Sequence, residues 1–185
     1  MSLLWLARHA QPLIAPGICY GQLDVAADSA ATAQCAAALA AALPSALTVI
    51  ASPLQRCEQL QQELSRLRPD LTCQIDTRLQ EMHFGAWEGC AWADIAPTEL
   101  AAWTDDFSSY AAGGNGESVA EFMARVASAL DARTTPSEAQ DTLWLTHAGV
   151  IRAATLIASG RRHIQYASQW PAEAPAFGQW VTLAC

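Results

Sequence analysis

Ser2-Leu3-Leu4-Trp5-Leu6-Ala7 is an unbroken apolar run, and Arg8-His9 ends it at once. A run this short, without helical periodicity, reads as a strand buried on both faces. Outward from it, Pro12, Pro16 and Gly17 mark a loop. Alanine-rich residues 29–43 predict a helix that Pro44 ends. Leu47-Thr48-Val49-Ile50-Ala51 is a second buried strand. Ser52-Pro53 reads as a helix start, with Ser52 as N-cap and Pro53 at the first position. Leu54, Cys57, Leu60, Leu64 and Leu67 then follow at helical spacing. Further strands are predicted over 71–75, 142–146 and 179–184. Short helical pieces are expected around Trp92 and Trp103. Longer helices should run from Glu117-Ser118 to about Arg133, and from His147 to near Gly160. Strands alternating with helices predict an α/β fold, a three-layer α/β/α sandwich around a mostly parallel sheet. All 185 residues fit one domain.

In such sheets ligands bind beyond the carboxyl ends of the strands. Three predicted strands end in reactive residues: one at Arg8-His9, one at Ser52 with Arg56 a turn later, one at His147. Two guanidinium groups and two imidazoles would repel one another around an empty pocket, but they suit a dianion. The planar arginine fork bonds phosphate oxygens in pairs. A neutral imidazole nitrogen attacks phosphorus, while the other ring nitrogen donates a hydrogen bond that fixes the tautomer. His9 alone divides evenly between nucleophile and hydrogen-bonded loop residue; the shared strand ends tip the balance. Glu81, within Leu79-Gln80-Glu81-Met82-His83-Phe84-Gly85-Ala86-Trp87-Glu88-Gly89, is the candidate proton donor to the departing oxygen. Glu88 reads as structural, His83 as a rim or packing residue, and His163 as a solvated helix-end charge.

Composition narrows the partners. Lys and Arg number 10 against 18 Asp and Glu, a net charge of -8. That argues against a general binder of nucleic-acid backbones, while leaving room for a small cationic pocket. The six cysteines form no C-x-x-C pair and no zinc spacing, so no metal site is expected. The apolar start is cut by Arg8 before it reaches signal-peptide length, and no stretch approaches a membrane span. A cytoplasmic chain with reduced thiols is expected, with no membrane partner. Nothing in the pattern specifies an oligomeric state.

Leu6-Ala7-Arg8-His9-Ala10 resembles the Arg-His-Gly signature of the histidine phosphatase superfamily, which includes phosphoglycerate mutases and many phosphatases. The likeness continues at Ser52-Pro53-Leu54-Gln55-Arg56, at Glu81 to Gly89, and at Thr146-His147-Ala148-Gly149-Val150-Ile151-Arg152. These four blocks fall in family order. The resemblance implies that His9 is phosphorylated, that Glu81 donates a proton, and that Arg8, Arg56 and His147 complete a phosphate pocket without metal or cofactor. Within the superfamily the chain is most similar to α-ribazole phosphatases of cobalamin synthesis. That likeness rests on Ile18-Cys19-Tyr20-Gly21-Gln22-Leu23-Asp24-Val25, on Met82 to Gly89, on Gly116-Glu117-Ser118 and on His147 to Arg152. It implies hydrolysis of α-ribazole 5′-phosphate. A mutase-like enzyme, a broad sugar-phosphate phosphatase and a non-catalytic phospho-ligand binder remain as alternatives. Residues 90–116 are the expected cap, whose Trp92, Trp103, Phe107 and Tyr110 either line a substrate pocket or pack the cap. Tyr20, Gly21, Gln22, Trp87 and Trp92 are the candidate substrate contacts. The chain departs from the family pattern at Ala10, which replaces a glycine, at Gln11-Pro12, and at Ala15.

Overall fold

Five strands form one sheet in the computed structural model, which describes residues 2–133 and 140–184. They are β1 (Leu3–Arg8), β2 (Leu47–Ala51), β3 (Thr72–Ile75), β4 (Asp141–Thr146) and β5 (Trp180–Ala184). The spatial order is β3-β2-β4-β1-β5. The first four strands are mutually parallel, and β5 closes the edge antiparallel to β1. The helices are α1 (Ser29–Ala42), α2 (Gln55–Leu67), α3 (Pro97–Asp105), α4 (Val119–Asp131) and α5 (Ala148–Ala158).

Strand alternation divides the core into two layers. Leu4, Leu6 and Trp144 face a layer built with α4 and α5. Ala7, Val49, Leu143 and Leu145 face a layer built with α1 and α2. The central strands are therefore covered on both sides, which is why they read as continuous apolar runs. Small side chains let α1 lie close: Cys35, Ala36 and Leu39 are buried, and Asp28 caps the helix by accepting the Ala31 N–H at 2.8 Å. Ser118 and Glu121 form a reciprocal capping box at the start of α4.

The reading of Ser52-Pro53 as a helix start is corrected here. Helix α2 begins at Gln55 after Leu54, which makes no side-chain cap. Asp24 from a distant loop accepts the Gln55 N–H at 2.7 Å, while the Ser52 hydroxyl accepts the Leu54 N–H at 3.3 Å, ahead of the helix. Leu67 is 51% exposed at the end of α2, outside the apolar face expected to include it. Residues 90–116 hold α3 between two 3₁₀ turns, at Trp92–Asp94 and Ala112–Gly114. Pro97 occupies the first turn of α3, where its missing N–H costs nothing. Cys19, Cys35, Cys57, Cys73 and Cys90 are free thiols, and Cys185 lies outside the described residues. Among the described residues no helix is long and apolar enough to cross a membrane.

Candidate active site

Register brings the reactive residues together. Arg8 pairs with Thr146 across the parallel β1–β4 ladder, so the next residues, His9 and His147, leave the sheet side by side. The His9 N–H donates to the Thr146 carbonyl (3.1 Å), and the two imidazole centroids are 5.2 Å apart. Ala51 pairs with Leu145, which sets Ser52 beside them, and the Ser52 N–H donates to the Leu145 carbonyl at 3.0 Å. Arg56 returns to the same rim from the first turn of α2.

His9 is 2% exposed. Its Nδ1 lies 2.7 Å from the Ala10 carbonyl, an acceptor only, so Nδ1 carries the proton and Nε2 keeps its lone pair. Burial pushes the imidazole down to about 3, and the Arg56 and Arg8 charges add to that, so the ring is neutral near neutrality. Ala10 is buried, and no described non-glycine residue has a positive φ, so alanine fits where the family pattern has glycine.

Arg56 is fully buried. It donates from Nη2 to the Gly21 carbonyl (2.6 Å), from Nη1 to the Leu23 carbonyl (3.0 Å) and from Nε to His147 Nδ1 (3.2 Å). Since Nε only donates, His147 Nδ1 is an acceptor, and its Nε2–H donates to the Ser52 hydroxyl at 2.9 Å. Burial, followed by the Arg56 and His9 charges, holds His147 well below the usual histidine range. In this geometry both its ring nitrogens are engaged. His147 thus orients Arg56, whereas the sequence reading had it offer a free N–H to phosphate.

Arg8 donates from Nη1 to the Pro175 carbonyl at 2.9 Å, and the Phe177 ring stacks on its guanidinium, 3.8 Å from centroid to Cζ. Arg8 Nε is buried with no hydrogen-bond partner, a costly state for a charged donor unless an anion supplies the acceptor. Phe177 also lies 5.6 Å from the His9 ring. Neither Pro175 nor Phe177 stood out in the sequence, because the segment that carries them has no periodicity to read.

Glu81 follows β3 on a loop held from three sides. The Thr146 hydroxyl donates to the Leu79 carbonyl (2.8 Å), and Arg125 of α4 donates to the carbonyls of Arg78, Gln80 and Glu81. Gln22 Nε2 also donates to the Glu81 carbonyl (3.2 Å). The carboxylate accepts the Met82 N–H and, through Oε2, the Gly149 N–H at the start of α5, both at 3.0 Å. A Cβ at Gly149 would stand 2.2 Å from Glu81 Oε1, so only glycine admits this approach. Glu81 and Gly149 border a cavity of about 430 Å³ on the side of α3.

The remaining candidates divide. Tyr20 lies with its ring 5.4 Å from the Arg56 Cζ, and the Arg8 and Arg56 charges partly offset the burial that raises its phenol. Gly21 serves the framework rather than the cavity: its carbonyl holds Arg56, and a Cβ there would meet the Met82 carbonyl at 1.8 Å. Trp87 likewise faces inward, 3% exposed, donating from Nε1 to Glu99 at 2.7 Å. Trp92 stacks on Trp103 and does not line the cavity. Glu88 bridges the Gln22 and Phe84 N–H groups at 2.9 Å each, the structural role expected of it. Among the described residues no group of three or more His, Cys, Asp or Glu could hold a metal ion.

The family model for the histidine phosphatase superfamily (branch 1) matches residues 4–172. The chain belongs to that superfamily. It is a phosphatase, and solved phosphatase structures share its fold. Native mycobacterial glucosyl-3-phosphoglycerate phosphatase superposes with a TM-score of 0.80 at 25% identity, over 98% of this chain and 89% of that one. The same enzyme with VO3 gives 0.81 at 26%, over 100% and 93%. TTHB049 from Thermus thermophilus gives 0.72 at 27%, over 98% and 92%. No curated protein sequence matches this histidine phosphatase significantly.

Proposed function

We propose that the chain hydrolyses a small phosphomonoester through a phosphohistidine at His9. The observation that carries this is the His9 tautomer: a buried, neutral ring with Nδ1–H tied to Ala10 and Nε2 bare, between two buried or half-buried arginines. Nε2 attacks phosphorus, the ester P–O bond breaks, and Glu81 gives the departing oxygen its proton. Water then attacks phosphorus and passes a proton back to Glu81. The P–N bond breaks and inorganic phosphate leaves. Arg8 and Arg56 hold the phosphoryl oxygens as charge builds on them. Arg56 has three of its five N–H groups engaged and two left for this. His147 keeps Arg56 in place.

Residues 90–116 act as the cap over the leaving group. Among the structural neighbours named above, the one whose substrate is given acts on glucosyl-3-phosphoglycerate, and nothing there supports α-ribazole 5′-phosphate in particular. The supported reading stays at the level of a small phosphomonoester, with α-ribazole 5′-phosphate as one member to assay. Free thiols fit a cytoplasmic location. The test is hydrolysis of 4-nitrophenyl phosphate in excess EDTA: the wild type turns over, and His9→Ala does not. Full turnover by His9→Ala removes the mechanism.

A further inference from the structure

The cavity beside Glu81 has a wall whose chemistry selects a leaving group. The group that protonates the departing oxygen must face it, and Glu81 borders this cavity while its carboxylate acts on the charge of Arg8. A leaving group held on Glu81 therefore extends into about 430 Å³, a volume within the usual range for small-molecule sites.

Five of its fourteen lining residues are aromatic: Phe84, Trp103, Phe107, Phe122 and Trp170. They brace one another: Trp103 meets Phe84 edge-on at 6.3 Å and Phe107 at 5.4 Å, while Trp170 meets Phe107 at 6.4 Å and Phe122 at 6.3 Å. Rings held this way give the cavity a rigid apolar lining at little entropic cost, with Phe107 and Phe122 buried behind it. Beyond Glu81, the charged or hydroxyl groups on the wall are Arg152 and Thr104. A hydroxyl-rich leaving group would bury several hydroxyls without partners, each weakening binding by about tenfold. Two wall residues also carry buried N–H groups with no acceptor in the protein, Trp103 Nε1 and Arg152 Nε. Arg152 is otherwise bonded through Nη2 to the Ala172 carbonyl at 2.8 Å.

We propose that this cavity is a leaving-group pocket for a planar, largely apolar alcohol. The proposal rests on the His9–Glu81 reading and refines it by naming the substrate class. Substrates matched in their leaving oxygen isolate the pocket from intrinsic reactivity. Three primary-alkyl phosphates serve: 2-naphthylmethyl phosphate, ethyl phosphate and glucose 6-phosphate. The wild type should show kcat/KM at least about tenfold higher for the naphthylmethyl ester than for either other ester. Trp103→Ala should shrink that preference by about tenfold. In the wild type alone, 2-naphthylmethanol should inhibit competitively and glucose should not, so the pocket is tested even if the variant fails to fold. Glucose 6-phosphate matching or exceeding the naphthylmethyl ester, or no inhibition by 2-naphthylmethanol, overturns the pocket while leaving His9 chemistry intact. Hydrolysis of all three esters by His9→Ala instead overturns the reading on which it stands.

Discussion

Replacing Gly149 with alanine tests the seat of Glu81 without touching a titratable group. The added Cβ would stand 2.2 Å from Glu81 Oε1, where ordinary contact needs at least 3.4 Å, so the carboxylate must retreat by about 1 Å. It then loses the Gly149 N–H bond to Oε2. A misplacement of about 1 Å in a reacting group costs on the order of a hundredfold, or about 2.7 kcal/mol of barrier. The loss should fall on substrates whose leaving oxygen needs a proton. In stopped assays, kcat/KM for an alkyl phosphate should drop about a hundredfold, and for 4-nitrophenyl phosphate by less than about fivefold. Stability should move little. A helical alanine gains up to about 1 kcal/mol over glycine, against about 0.5–1.5 kcal/mol for the lost hydrogen bond. Equal losses on both substrates, or none on either, would refute the reasoning that Glu81 donates the proton from this position.

Acid should destabilise the fold through its buried histidines. His9 is pushed down to about 3 in the folded chain, whereas unfolded it takes a proton from about 6.5, so the unfolded state binds more protons between those values. Stability is therefore full above pH 6.5 and falls as pH drops toward 3, by about 2 kcal/mol at pH 5 from His9 alone. His147 adds a loss of the same sign. Urea midpoints at pH 7.5 and 5.0 should show the fall, with a shallower one in His9→Asn; parallel declines would mean that His9 is not buried neutral. Ser52→Ala removes the acceptor of the Leu54 N–H and leaves the His147 Nε2–H only the Cys57 sulfur at 3.6 Å, so it should lower unfolding free energy by about 1–3 kcal/mol in urea titration. An unchanged midpoint would place the hydroxyl elsewhere.

Much of the scaffold was legible because burial on both faces writes itself as uninterrupted apolar residues. Leu3 to Ala7, Leu47 to Ala51 and Thr142 to Thr146 each became a central strand, and the rim residues followed from where those runs stop. What failed depended on contacts between distant residues. Ser52-Pro53 has the local signature of a helix start, but Asp24 accepts the Gln55 N–H, and the Ser52 hydroxyl is shared between the Leu54 N–H and His147. Gly21 and Trp87 were candidate substrate contacts because they belong to the blocks that carry the family likeness; one is wedged against the Met82 backbone and the other is buried in the core. Phe177 on Arg8 joins residues 169 positions apart, and no local pattern encodes such a pair. The need for glycine at 149 becomes visible only once Glu81 is known to lie against it.

The central claim is a covalent bond between phosphorus and His9 Nε2. Rapid mixing of enzyme in excess over a phosphomonoester, quenching in alkali and mapping the phosphoryl group by tandem mass spectrometry tests it directly. A phosphoryl group on His9, rising and decaying within the first turnover and lost in acid, is the predicted result. A phosphoryl group on another side chain, or a full burst of inorganic phosphate with none on His9 at any time, would contradict it.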